Sequence, residues 1–463
     1  MVYDPLEAGQ IEVEMDRSPL WIAQRHGQDW RDEETLAAID WLTKSQDPRS
    51  WQMRIENVRD TFYDARRRWL DGDRVPLFDP RDLVAWYVFQ ANAYAADRRD
   101  WYEPEAFRLA PVFQRIGQLL PELSDIVGAQ ERAERILIDG RRQPDDGIYE
   151  LLVAGAYRRN GWDKVEFVPE EKGGRKTNDL FAASGRRRWA IECKRVGPSD
   201  YGRRERDDGL RLSAPVHALS AELRKSWIVS VDFRIELSEV PEEYLRQRIE
   251  ERANGTSCSW DDEIAQGEVC EVAWHNLQPV LARDDLYFGS SRMIELAAGH
   301  FPSRADHSME GDWVSSVERP FHAHNVTRLS LVSWISSSSE AVRRKAKHFR
   351  GMVGQASEQL PGDRPGVVHV GYELIGGNGA DALRDMSNRF ELMTFDPSNS
   401  RLRWVYGNYM VPEHTTHPME SAALTETTAV YKVGRSNTPD PIPQHFLFSE
   451  GSARPGGYWM HQI

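Results

Sequence analysis

The spacing of apolar residues divides the chain into a helical first part and a mixed second part. Apolar side chains recur at helical intervals in segments such as 35–43 and 82–96, and prolines separate these segments. Residues 1–140 are therefore predicted to form a helical N-terminal domain. Its many tryptophans are typical of the packed faces of amphipathic helices, and we assign them to packing instead of base stacking.

Beyond residue 140 the pattern changes to one helix followed by short β-rich segments. In chain order, the predicted elements are a helix over 148–159, strands over 164–169, 177–183 and 187–195, a helix over 212–225 and a strand over 227–237. This order is α-β-β-β-α-β. The fold class is therefore expected to be α/β.

The remaining segments are predicted to surround this core. Residues 239–325 are irregular and rich in Gly, Ser, Asp and Pro, which is typical of an insertion, whereas 366–373 indicate a buried strand. Near the C-terminus, 390–395 and 401–411 are predicted to pair as a hairpin. The predicted organisation is a helical domain over 1–140, a central domain over 141–375 with its insertion at about 239–325, and a β-rich extension over 376–463.

The composition limits where the protein works and what it binds. The 463 residues include 59 Lys and Arg against 73 Asp and Glu, and a net charge of −14 disfavours unspecific coating of nucleic acid. Three cysteines offer no disulfide framework and indicate a reducing compartment. No apolar stretch reaches the ~20 residues of a membrane span, and the acidic N-terminus is unlike a secretory signal. We expect a cytoplasmic protein that does not contact membranes.

The segment Thr177–Val196 contains the clearest chemical pattern of the chain. Side chains alternate along a strand, so Glu192 and Lys194 are predicted to share one face. If residues 184–185 form the turn, strand pairing makes Asp179 a diagonal neighbour of Glu192, at ~7–8 Å between backbones. Two carboxylates and a lysine are then expected to converge.

This combination of side chains suits the hydrolysis of a phosphodiester bond. Carboxylate oxygens are the ligands that Mg²⁺ prefers, and such a cation neutralises developing charge and lowers the pKa of bound water. A lysine beside the metal can orient or help to deprotonate the attacking water, or stabilise negative charge in the transition state. Lys194 is predicted to take that role.

Asp179 and the triplet Glu192-Cys193-Lys194 resemble the signature of the PD-(D/E)XK nuclease superfamily, whose restriction-endonuclease-like core has the order α-β-β-β-α-β. The resemblance implies a nuclease that depends on Mg²⁺ or Mn²⁺. Its metal ligands would be Asp179, Glu192 and the backbone carbonyl of Cys193. Lys194 would be the catalytic lysine.

Two further positions bear on this resemblance. Family members often carry a glutamate on the first core helix, and Glu150 occupies that place as a fourth candidate catalytic residue. A charge that merely favours the start of a helix is the alternative interpretation of Glu150. Asn178 stands where the family has proline, and the matched core covers about 145–237, so much of the chain has no recognised counterpart.

Basic residues are concentrated around the candidate site. Residues 141–211 hold 17 Lys and Arg against 13 Asp and Glu, a local surplus of four positive charges in an acidic chain. Such a surplus is typical of a surface that binds phosphates, although an exposed charged turn is the alternative interpretation. The residues predicted to contact nucleic acid are Arg186, Arg187, Arg188, Arg195, Arg203 and Arg204.

The expected function is hydrolysis of DNA by metal-activated water, as an endonuclease, in a setting such as restriction or anti-phage defence. The alternative is a catalytically silent nuclease fold that binds nucleic acid or a partner protein. The presence of Asp179, Glu192 and Lys194 together favours the enzyme, because a degenerate copy is expected to lose at least one of them. RNA stays open as a substrate, as do a homodimer and a partner protein.

Overall fold

A computed structural model describes residues 32–448 and 454–459 of the chain, with gaps. The gaps lie at 74, 97–99, 170–176, 197–199, 254–257, 284–285, 303–304, 317–320, 374–381, 398–399, 413–423, 435–437 and 444–446. Residues 1–31 of the predicted helical domain therefore lie outside the described residues. Within the described part, no helix combines the length and the apolar character needed to cross a membrane.

The described chain begins with helices alone, and strands and helices are interspersed after residue 160. The helices are α1 (Glu33–Thr43), α2 (Pro48–Leu70), α3 (Leu83–Ala95), α4 (Glu103–Gln118), α5 (Leu120–Ser124), α6 (Ala129–Ile138), α7 (Pro144–Arg159), α8 (Asp200–Leu223), α9 (Tyr244–Ala253), α10 (Trp274–Leu281), α11 (Ser291–Ala298), α12 (Ser339–Ser357) and α13 (Ala382–Met393). The strands are β1 (Lys164–Phe167), β2 (Leu180–Ser184), β3 (Arg187–Val196), β4 (Trp227–Phe233), β5 (Ser259–Asp261), β6 (Ala265–Cys270), β7 (Asp306–Ser315), β8 (Ala323–Ser336), β9 (Gly366–Glu373), β10 (Leu402–Pro412), β11 (Leu424–Lys432) and β12 (Arg454–Trp459). The predicted α/β class is confirmed.

The first sheet has the strand order β1-β2-β3-β9-β10-β11-β12. β1, β2 and β3 form an antiparallel meander, and β9 and β10 then run parallel to β3. β11 pairs antiparallel with β10, so the sheet is mixed. The strands near the C-terminus therefore continue the sheet that contains the candidate site.

Two helices cover the opposite faces of this sheet. On one face, the ring of Tyr149 on α7 lies where a Cβ at Gly371 would be, 2.6 Å from the nearest ring carbon, so only glycine fits there. On the other face, Phe349 and Val353 of α12 pack against Val368 of β9. The apolar core on the α7 side also includes buried residues of α1 to α6, so the N-terminal helices and the sheet share one core.

The chain between β3 and α12 builds a second mixed sheet with the order β5-β6-β4-β8-β7. Leu212 and Val216 of α8 pack on one of its faces. Leu277 of α10 and Met293 of α11 pack on the other. The segment that separates β3 from β9 therefore has apolar cores of its own.

The prediction that 227–237 completes the α-β-β-β-α-β core is wrong. Trp227–Phe233 pairs with β8 and β6 in the second sheet. The place beside β3 belongs to Gly366–Glu373, and the crossover helix before it is α12. Apolar spacing identifies strands, but it does not identify their partners when a long segment intervenes.

The hairpin predicted near the C-terminus is also wrong. Residues 390–393 end helix α13, on which Leu392 is buried, and β10 pairs with β9 and β11. The short apolar stretch fits a helix and a strand equally well, and the helix is favoured because its pattern continues back to residue 382.

The turn between β2 and β3 differs from the predicted one and changes the register. Ser184 pairs with Arg187, so the two turn residues are Gly185 and Arg186, and Gly185 has the positive φ of +57° that such a short hairpin turn requires. The register then places Phe181, and not Asp179, opposite Ala190.

Candidate active site

Asp179 and Glu192 lie side by side where β2 begins and β3 is half complete. The last ladder pair is Leu180 with Ile191, so each acidic residue is the next residue along its strand. The backbone N–H of Asp179 donates to the carbonyl of Ile191 at 3.1 Å, and Asp179 Oδ2 accepts the N–H of Cys193 at 2.7 Å. The corrected register therefore brings the two carboxylates closer than the predicted diagonal arrangement.

Glu192 is fully buried, at 0% exposure. Its Oε1 forms an ion pair with Lys194 Nζ, as expected for two residues on one strand face. Its Oε2 has no hydrogen-bond partner among the described residues. A buried carboxylate oxygen without a donor is costly, and a bound cation is one group that would satisfy it.

The electrostatics of the three residues follow from this burial. Burial raises the pKa of Glu192 to about 9, and the charge of Asp179 raises it too, while Lys194 opposes both. Burial also raises the pKa of Asp179, although the N–H of Cys193 and the charge of Lys194 lower it. For Lys194, burial lowers the pKa, but attraction to Glu192 outweighs this, so the pKa lies above its usual value. Without a cation, the carboxylate pair is thus expected to retain a proton at neutral pH.

Glu150 lies close enough to this group to raise the pKa of Glu192. It is buried, at 8% exposure, and its Oε2 lies 3.0 Å from Nε of Arg132 on α6. Helix α7 begins at Pro144, so Glu150 is beyond the first turn and the helix-start interpretation is wrong. Arg132 also lowers the pKa of Asp179, and so its charge acts on both carboxylates.

Asp146 is a site residue that the sequence reasoning missed. It lies in the first turn of α7 and is exposed, yet desolvation raises its pKa, while Lys194 lowers it and Asp179 raises it. These influences show that the start of α7 faces the end of β3 that carries Lys194. The signal that was available is the pair Asp145-Asp146 directly after Pro144, where acidic residues mark a helix start.

Arg195 follows Lys194 but points to the opposite face of β3, towards α7. Its Nη1 lies 2.5 Å from Oδ2 of Asp145. Burial lowers the pKa of Arg195 to about 10, and the neighbouring charge of Arg108 lowers it as well. The predicted phosphate ligand Arg195 therefore lies beside the candidate site, in contact with an acidic side chain.

The other predicted nucleic-acid contacts lie away from the carboxylates. Arg186, Arg187 and Arg188 are exposed at the turn end of β3 and line a surface cavity together with Arg364. Arg188 precedes Glu192 by four strand residues, which places their backbones roughly 13 Å apart.

Arg203 and Arg204 were expected in a loop, and that expectation is wrong. Both lie in the first turns of α8 and are exposed. Arg203 forms an ion pair with Asp200, the first residue of that helix. They do not belong to the group formed by Asp179, Glu192 and Lys194, and their positions do not identify a ligand.

Asp179 and Glu192 are the side chains best placed to hold a cation. Across the described ranges, no group of three or more His, Cys, Asp or Glu side chains has the arrangement of a metal site. Glu150 is paired with Arg132, which leaves the backbone carbonyl of Cys193 as the predicted further ligand. The thiol of Cys193 is buried and its pKa is raised well above the usual value by burial, so it is not a reactive group.

Comparisons of this chain with protein-family models, with curated proteins and with solved structures gave no match. The arrangement of the described residues is therefore the basis for any functional conclusion.

Proposed function

We propose that this protein is a nuclease that hydrolyses DNA phosphodiester bonds with Mg²⁺ or Mn²⁺ as its cofactor. The observation that carries the proposal is the buried Oε2 of Glu192, to which no described group donates a hydrogen bond. Glu192 lies next to Asp179, and its other carboxylate oxygen pairs with Lys194. An orphaned carboxylate beside a second carboxylate and a lysine fits a hard cation and an anionic substrate.

The chemistry of the donors supports this fit. A bound divalent cation would supply charge neutralisation and a more acidic water. Asp179 and Glu192 would hold the cation with oxygen atoms, and the N–H of Cys193 fixes the orientation of Asp179. Lys194 would turn from Glu192 towards the phosphate and stabilise negative charge there.

The order of the elements also supports the resemblance to PD-(D/E)XK nucleases. α7, β1, β2, β3, α12 and β9 follow each other as α-β-β-β-α-β when the second sheet is treated as an interruption. The helix α7 contributes Glu150, and β2 and β3 contribute the other candidate residues. Restriction or anti-phage defence would be a suitable setting for such an enzyme.

One observation favours the alternative of a silent nuclease fold that binds nucleic acid or a partner protein. Arg132 pairs with Glu150 and adds a fixed positive charge next to Asp179, as a substitute for a cation would. In that case, the described arrangement would be a stable ion network without a metal.

The experiment is cleavage of circular and linear DNA, and of RNA, by the full chain with Mg²⁺, Mn²⁺ or EDTA. Asp179→Asn and Glu192→Gln keep the shape of each side chain, and each is expected to lower the cleavage rate by about 10²-fold or more. Asp363→Asn, at an exposed position near the other end of β3, is the matched control and should cleave normally.

Calorimetric titration with Mn²⁺ separates the two functions. The enzyme should bind Mn²⁺ and lose this binding in Glu192→Gln. A wild-type chain that binds DNA, but does not bind Mn²⁺ and does not cleave DNA, would establish the silent fold. Cleavage that survives both substitutions would place the active site elsewhere.

A further inference from the structure

A surface cavity lies at the turn end of β3, away from the carboxylate group. Its volume is about 430 Å³, within the roughly 300–1,000 Å³ that sites for small molecules occupy. The arginine cavity, as we name it, is lined by Arg186, Arg187, Arg188, Trp189, Asp363, Arg364, Pro365, Thr438 and Pro439. Three parts of the chain therefore form its walls: the start of β3, the loop before β9 and the segment after β11.

Positive charge dominates the lining of the arginine cavity. Four arginines and one acidic side chain give these residues a net charge of +3. Arg364 pairs with Asp363, whose Oδ2 lies 2.7 Å from Nη2 of the arginine. Among the described residues, no acidic side chain forms an ion pair with Arg186, Arg187 or Arg188. Three adjacent like charges repel one another, and a bound anion would remove that repulsion.

Contacts with aromatic rings hold two of the guanidinium groups in place. The guanidinium of Arg187 lies over the ring of Trp162 at 4.9 Å, and that of Arg364 lies over Phe181 at 4.7 Å. Nε1 of Trp162 donates to the carbonyl of Pro441 at 2.8 Å, which ties the segment after β11 to the ring that supports Arg187. Arginines that are positioned in advance lose less conformational freedom when an anion binds.

The density of charge indicates which phosphate compound fits the arginine cavity. Phosphodiester linkages carry one negative charge each and are spread along a nucleic acid strand. A chain of phosphates that ends in a monoester concentrates its charge, because the terminal group alone carries about −1.5 to −2. Guanidinium groups bind such oxygens two at a time. A net charge of +3 within one small cavity is therefore matched better by a chain of phosphates than by one linkage of a strand.

We propose that the arginine cavity binds a nucleoside triphosphate, with its phosphate chain on the three adjacent arginines and its nucleoside against Pro365 and Pro439. The site is separate from the candidate active site, because Arg188 and Glu192 lie four strand residues apart, or roughly 13 Å between backbones. The proposal rests on the volume and the charge of the cavity and does not depend on the nuclease.

The test is calorimetric titration of the full chain in EDTA with ATP, inorganic triphosphate, inorganic phosphate and adenosine. ATP should bind most tightly of the four. Inorganic triphosphate lacks the contacts of the nucleoside, inorganic phosphate lacks the chain, and adenosine lacks the charge. Because the arginines are exposed, the affinity for ATP should fall as salt is added.

Substitutions of the arginines test the contacts with the phosphate chain. Arg186→Gln and Arg188→Gln should each weaken ATP binding about threefold or more, because each removes a charge-assisted hydrogen bond. Arg188→Lys should recover only part of the loss, since an ammonium group does not bind two oxygens as a fork does. Arg343→Gln removes an exposed arginine of α12 outside the cavity, and this matched control should bind ATP normally.

Asp363→Asn gives an effect of opposite sign. It removes the acidic side chain of the lining and releases Arg364 from its ion pair. ATP binding should become several-fold stronger, which a variant that merely damages the fold would not show.

Equal affinity for ATP and adenosine, or normal ATP binding by both glutamine variants, would overturn the proposal. Equal affinity for ATP and inorganic triphosphate would overturn the assignment of the nucleoside. A chain that binds a short DNA duplex through Arg186 and Arg188, but does not bind ATP, would show that the cavity serves nucleic acid instead. Cleavage is not measured in EDTA, so each of these outcomes leaves the proposed nuclease to its own test.

Discussion

The two ends of strand β3 place their charged side chains in opposite environments. At its C-terminal half, Glu192 is buried and pairs with Lys194 beside Asp179. At its turn end, exposed arginines meet solvent, and Arg187 lies over the ring of Trp162 at 4.9 Å. Charges interact strongly where water is excluded and weakly where salt screens them. Substitutions and changes of pH are thus expected to alter stability strongly at the carboxylate end and weakly at the arginine end.

The largest expected effect concerns the ion pair of Arg132 and Glu150. Arg132→Met leaves a buried carboxylate without its arginine and should lower the free energy of unfolding by roughly 3–5 kcal/mol. Urea denaturation measures this change. The double variant Arg132→Met/Glu150→Leu should recover most of the loss. If Arg132→Met were as stable as the wild type, the ion pair of Arg132 and Glu150 would not contribute to stability.

A pH effect of intermediate size follows from Glu192. Its pKa rises from 4.5 in the unfolded chain to about 9 in the folded one, so the folded state retains a proton that the unfolded state releases. The contribution that Glu192 makes to the free energy of unfolding through this raised pKa is fully present below pH 4.5. It is lost as the pH rises towards 9. Urea denaturation in EDTA should give a lower free energy of unfolding at pH 8.5 than at pH 5.5.

Glu192→Gln isolates this effect, because an amide does not titrate. The variant should show a flatter dependence on pH than the wild type, whereas Glu166→Gln, at a partly exposed position on β1, should not. Addition of Mg²⁺ should raise the stability of the wild type at pH 8.5 more than at pH 5.5, since the cation competes with the proton. An unchanged slope in Glu192→Gln would contradict the assignment.

The smallest effect is expected at the arginine end. Arg187→Gln/Arg188→Gln should change the free energy of unfolding by less than about 0.5 kcal/mol, because the side chains are exposed. Cleavage of a short duplex should change less than about twofold. The affinity of this double variant for long DNA, measured at several salt concentrations, sharpens the comparison. If the slope of log affinity against log salt concentration is smaller by about two than in the wild type, these arginines contact phosphates.

The two strands that carry the candidate site, β2 and β3, were predictable from residue types, but their alignment was not. Alternation along 187–195 correctly placed Glu192 and Lys194 on one face. The register was wrong because the position of a two-residue turn depends on the backbone angle of Gly185, which composition does not reveal. The error moved Asp179 away from a direct cross-strand position.

The partners of the site were less accessible to sequence reasoning than its strands. Arg132 lies on α6, far from β3 in sequence, and carries no local signal of its role. The packing of α6 and α7 in the core shared with the sheet brings Arg132 to Glu150. Likewise, the choice of β9 over β4 as neighbour of β3 depends on long-range packing.

The interruption between β3 and β9 has a consequence for synthesis of the chain. The ladder that covers β3 needs Gly366–Glu373, and at about 5–20 residues per second this segment emerges on the order of ten seconds after Val196. Until then β3 is an open edge, and unpaired edges are sites of wrong association. We expect chains cut off before residue 366 to sediment as aggregates. The charges of Lys194 and Arg195 are expected to oppose such association while the chain is still on the ribosome.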